Sequence, residues 1–122
     1  MANEKDYFDW KVVADGVVEV SVHAGINLNS DHIRQAFKVV AAAMPEHFCV
    51  LAQRHENYKQ SLEAMVLLSS IESVLLYAVY GLNEEQLNLA MSHKMLNPKV
   101  RVFNDRQSAL DTCIATYKAH ER

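Results

Sequence analysis

"FCVLAQRHENYKQSLEAMVLLSS", residues 48–70, decides the fold. Its first five residues, Phe48 to Ala52, are continuously apolar. A short run of that kind suits a central strand buried on both faces. Its last third places Leu62, Met65, Val66 and Ser69 on one stripe, which predicts a helix from Ser61 to about Glu72. Between them lies the polar stretch Gln53 to Ser61. A strand that feeds a helix through a short polar loop is the unit of a parallel α/β sheet, and such loops carry function more often than the elements they join.

Outward from this unit the periodicity alternates between two and about 3.6. Upstream, "YFDWKVV" and "VVEVSVH" both alternate, with Phe8, Trp10 and Val12 on one side and Val18, Val20 and Val22 opposite Glu19, Ser21 and His23. Asp15-Gly16 between them predicts a tight primed turn and an antiparallel hairpin, residues 7–14 and 17–24. Ile33, Ala36, Phe37, Val40 and Met44 then form a helical stripe, with Ser30 as the expected N-cap and Pro45 as the stop. Downstream, "VLLYAVYG" is rich in β-formers and predicts a break in the helix near Ser73 followed by a strand. "NEEQLNLAMSHKML" reads as a helix capped by Asn83 with Gln86 three residues on. "VRVF" reads as a strand. Asn104 or Asp105 caps a last helix, with Leu110, Cys113, Ile114 and Tyr117 on its inner stripe.

The order is β-β-α-β-α-β-α-β-α over residues 1–122, one α/β domain. It predicts a mostly parallel open sheet of about five strands in which the first hairpin is the antiparallel part. Half of the 122 residues are hydrophobic and the formal net charge is −3. Without a basic excess, nucleic acid is not an expected partner. No apolar run reaches bilayer length, and "MANEKDYFDW" has no apolar leader core, so a cytoplasmic protein without a transmembrane segment is expected. Strand 7–14 falls at a sheet edge, and edges invite pairing, so a homodimer is a candidate assembly.

The chemistry-bearing residues do not assemble into a catalytic motif. The six histidines lack the close patterned spacing of a structural zinc site, and Cys49 and Cys113 fall inside apolar patterns as buried thiols. Three glycines form no phosphate loop, and there is no nucleophile elbow. The expectation is a non-enzymatic protein with no cofactor and no metal. In the 53–61 loop, Arg54, His55 and Tyr58, with Ser61 at the helix start, are either a solvated connection or a binding surface for an anion or a partner.

The element order resembles the SpoIIAA-like superfamily, which includes bacterial anti-sigma-factor antagonists (STAS domains) and uncharacterised bacterial proteins likened to CRAL-TRIO lipid-binding domains. The most specific piece is "VRVFNDRQSALDTC", similar to the family's final strand, Asn/Asp turn and helix opening. "LLYAVYGLNEEQ" is similar to its preceding strand and helix start. The resemblance implies helices packed mainly on one side of the sheet, as a βα superhelix. It also implies regulation through protein binding, with a phosphorylatable serine at the start of the helix after the third strand. Ser61 holds that position. Gln60 stands where the antagonists carry aspartate, and no glycine follows, so the position matches but the motif does not, and Ser61 reads first as a plain N-cap. The lipid-binding branch implies an apolar ligand or membrane surface under helix 61–72, with Leu62, Met65, Val66 and Leu68 as its contacts.

Overall fold

The computed structural model describes residues 8–22, 27–53, 59–60, 62–81 and 99–121. The predicted helix over 83–96 lies outside them. Five strands form one mixed sheet: β1 (Phe8–Ala14), β2 (Val17–Val22), β4 (Phe48–Gln53), β6 (Val74–Tyr80) and β7 (Val100–Val102), in the order β1-β2-β4-β6-β7. The β1–β2 hairpin is antiparallel and every later pairing is parallel. Two short strands the periodicity did not announce, β3 (Asn27–Leu28) and β5 (Lys59–Gln60), pair in parallel outside this sheet. The described helices are α1 (Ser30–Ala43), α2 (Leu62–Ser70) and α3 (Arg106–Glu121).

Strand alternation divides the core in two. On one face, Phe8, Val18, Val22, Phe48, Val74 and Tyr77 meet Ile33 and Val40 of α1, with Leu67 and Leu68 of α2 packed against them. All five residues of the predicted α1 stripe belong to this cluster. On the other face, Val17, Cys49, Leu51, Leu76, Ala78 and Tyr80 meet Ala109 and Cys113 of α3. Right-handed crossovers between successive parallel strands added in one direction must use the same face, which places α1 and α2 together. After the edge strand β7 no crossover remains, and α3 folds back beneath the opposite face. Of the described helices, α1 and α2 lie on one face and α3 on the other.

Two local details differ from expectation, the cap of α1 and the hairpin turn, while the stop at Pro45 is as expected. Asn29, not Ser30, caps α1: its side chain accepts from His32 N at 3.0 Å while its own N–H donates to His32 Nδ1 at 3.2 Å, a reciprocal capping box. Met44 turns extended directly before Pro45, as the proline ring requires. The hairpin turn is not primed. Within the turn Gly16 alone takes a positive φ, +70°, and Asp15 does not. The ladder absorbs the mismatch as a register shift between Val12 and Ala14. A Cβ on Gly16 would lie 2.2 Å from the Tyr117 ring of α3, so packing and backbone both require glycine there.

Candidate functional site

Strands β2, β4 and β6 end on one side of the sheet, and their pairing sets side chains in rows on the α3 face. The outermost row runs Asp9, Ser21, Gln53, Tyr80; the next runs Lys11, Glu19, Leu51, Ala78, Arg101. Deeper still, Val17, Cys49 and Leu76 form an apolar row under Ala109 and Cys113. Helix α3 starts above Glu19 and Tyr80 and runs back toward Gly16, so it covers the apolar row. Asp9, Lys11 and Gln53 remain exposed and Ser21 half-buried. Carboxyl ends of parallel strands are where open α/β sheets bind ligands.

Glu19 organises this end. Arg106, the first residue of α3, donates to it through Nε at 2.9 Å and through a terminal nitrogen at 3.1 Å. The Tyr80 hydroxyl donates to the same carboxylate at 2.5 Å, and Lys11 Nζ stands 4.0 Å away. The Glu19 side chain is 11% exposed. The guanidinium hydrogen bonds hold the carboxyl below its usual range against the opposing effect of burial, with Tyr80 and Lys11 adding to them. Burial and the bond to Glu19 push the Tyr80 phenol up to about 12. A cation in the first turn of a helix opposes the helix dipole, and the bidentate carboxylate compensates it. Asp105 completes the start of α3 by accepting from Ser108 N at 2.7 Å. An open recess of about 260 Å³ lies beside this cluster, lined by Asp9, Trp10, Lys11, Glu19, Ser21 and Gln53.

A larger open groove of about 740 Å³ lies at the opposite end, beside Gly16, Pro45, Tyr117 and Lys118. It sits at the amino ends of the strands, where the described residues gather no cluster of hydrogen-bonded polar groups like that around Glu19. At the same end the rings of His47 and His120 approach to 4.6 Å. Among the described residues no three His, Cys, Asp or Glu side chains are placed to hold a metal ion. Cys49 and Cys113 are free and buried. Hydrogen bonding to Cys49, with burial, pushes the Cys113 thiol up, the state of an unreactive thiol.

Of the residues picked from sequence, Arg54, His55, Tyr58 and Ser61 lie outside the described residues. Leu62 and Met65 belong to α2, and their side chains are likewise not described. Leu68 lines an apolar cavity of about 100 Å³ between α1, α2 and the sheet, together with Phe37, Phe48, Ile71 and Tyr77. Val66 is 51% exposed and does not line it. The carboxyl end of α2 is held by Tyr77, whose hydroxyl donates to Leu68 O at 2.9 Å, and Lys99 donates to Ile71 O at 2.7 Å just beyond it. No described helix is long and apolar enough to cross a membrane. The Glu19–Tyr80–Arg106 cluster was not picked from sequence. The available signal was an arginine directly after the cap of a helix, a position that needs an anion beside it.

No family model, curated protein or solved structure matches the chain.

Proposed function

We propose that this chain is a cytoplasmic, non-enzymatic interaction module of the SpoIIAA-like kind, which binds a partner protein at the carboxyl end of its sheet. The observation that carries the reading is the uncovered polar row Asp9–Ser21–Gln53 beside the recess at Glu19. Charges of both signs line that recess, with Lys11 and Asp9 exposed, which suits an extended polar segment of a partner. Glu19, Tyr80 and Arg106 make the platform rigid by satisfying one another. The 53–61 loop starts from Gln53 at its rim, so Arg54, His55 and Tyr58 are proposed to extend the surface and Ser61 to carry its switch. A phosphate at a helix start rewrites an interface by adding charge and acceptor oxygens.

The test is affinity capture from the source cells with the wild-type chain and with Gln53→Arg and Ser21→Arg, cross-linked sites being mapped by mass spectrometry. Partners lost with both variants, and cross-links beside β2 and β4, support the reading; unchanged capture removes it. An intact mass heavier by one phosphate, localised to Ser61, supports the switch.

One observation favours a second reading, an apolar ligand under α2. The partly open pocket at Leu68 is lined almost entirely by apolar surface, which suits a small apolar molecule. Its roughly 100 Å³ falls below the about 300–1,000 Å³ of sites for larger ligands, so a lipid chain would require α2 to move. A native mass adduct lost on denaturation would identify such a ligand and its size.

A further inference from the structure

Among the described strands β1 is the longer edge of the sheet, and its side chains on the α3 face carry a self-complementary charge pattern. Seven residues, Phe8 to Ala14, form the strand, and the register shift after Val12 leaves Phe8–Val12 as its regular part. Trp10 is the centre of that part. Asp9 and Lys11, both exposed, flank it on one face, and Val12, 52% exposed, lies on the other beside the half-buried Trp10. Among the described residues, Val12 is one of two large hydrophobic residues left exposed.

We propose that two copies of this chain pair β1 to β1 antiparallel about a two-fold axis at Trp10, joining two five-stranded sheets into one. Directly opposed residues of an antiparallel pair share a face, so only registers that keep the alternation are allowed. Centring the axis on Asp9 would oppose the two Asp9 side chains; centring it on Lys11 would oppose the two lysines. Like charges directly opposite destabilise a pair. Centring on Trp10 sets Asp9 of each copy against Lys11 of the other and Val12 of each against Phe8 of the other. The same register uses all five regular residues and covers the exposed Val12. An edge lysine normally discourages pairing, but an aspartate two residues before it turns that defence into recognition of a second copy. The dimer is closed, because the two-fold consumes the same edge on both chains.

The inference shares Asp9 and Lys11 with the partner-binding reading, and the two are told apart by Gln53→Arg and Ser21→Arg, which lie on β4 and β2 and leave the charges of β1 unchanged. It is tested by sedimentation velocity of the full chain over a concentration series, with circular dichroism to verify folding. The wild type is expected to pass from monomer to dimer as concentration rises. Asp9→Lys and Lys11→Glu each turn two attractive pairs repulsive and should weaken association about tenfold or more. Mixing the two variants restores opposite charges at both positions and should restore a heterodimer. The double variant Asp9→Lys/Lys11→Glu remains self-complementary and should dimerise as the wild type does, which keeps the test valid if one single variant folds poorly. A wild type that stays monomeric throughout overturns the proposal. So does a dimer indifferent to these substitutions, or single variants that weaken it without recovery on mixing.

Discussion

Phe48 and Cys49 are consecutive residues of β4, both buried, and they face opposite ways. Phe48 enters a thick apolar layer under two helices, stacked on Phe37 with ring centroids 6.2 Å apart. Cys49 enters a layer under α3, among the described helices the one on this face, and the layer gives way within two rows to Glu19, Tyr80 and Arg106. One face is held by apolar area. The other is held by close approach at one end, Gly16 against Tyr117, and by a hydrogen-bonded ion pair at the other. Among the described helices, two crossover helices cover the first face, while the second receives one and keeps a polar margin, the place proposed for binding.

Removing bulk from the first face should cost most. Phe48→Ala deletes a ring that is 1% exposed and enlarges a cavity already present beside it, so about 3–5 kcal/mol of stability should be lost. Urea unfolding measures it. A loss below about 1 kcal/mol would mean that α1 and α2 collapse into the space, and the contrast between the faces would weaken.

The next effect belongs to the second face. Gly16→Ala forces a side chain into left-handed φ, about 1–2 kcal/mol, and into the Tyr117 ring, whose displacement adds strain. A total of roughly 2–4 kcal/mol is expected. Pairing it with Tyr117→Ala separates the two costs: the double variant should lose the clash and keep the backbone penalty.

These two predictions differ in how far the sequence announces them. The α1 stripe and the β2 alternation are local, so Ile33, Val40, Val18 and Val22 could be placed from spacing alone. The Gly16–Tyr117 contact joins residues a hundred positions apart in a chain whose turn dipeptide already explains a glycine. Glu19 was legible as the polar side of β2, and that side is solvent in a two-layer reading. Only the return of α3 beneath the sheet makes it a partner for Arg106. The bulges after Val12 and at the start of β4–β6 pairing shift alternation by one residue, which no periodic count detects. Asn29 displaced Ser30 as cap because His32 answers it three residues later, and the expected box has Glu or Gln there. Of the surface now proposed, Asp9, Lys11 and Ser21 were legible as outward residues; their convergence with Gln53 and Tyr80 was not.

The ion pair should yield a smaller, pH-dependent effect. Arg106→Ala removes two charge-assisted hydrogen bonds to a carboxylate 11% exposed, and stability should fall at neutral pH by less than for the two core changes. The folded-state pKa of Glu19 lies below its ordinary 4.5, so this contribution is complete above 4.5 and disappears as pH falls through the folded value. The stability gap between wild type and variant should therefore close in acid. A gap that persists there would assign the loss to packing of the arginine stem.

Within α2 the same contrast is repeated two residues apart. Leu68 packs on the core beneath, and Leu68→Ala should cost roughly 1–2 kcal/mol, less than a fully buried leucine. Val66 is 51% exposed. Val66→Ala removes little packing and gains helix propensity, so stability should change by less than about 0.5 kcal/mol in either direction. If Val66→Ala costs as much as Leu68→Ala, the outer side of α2 is covered in solution. A cost that also grows with protein concentration would identify the cover as another copy of the chain, since only an intermolecular contact depends on concentration.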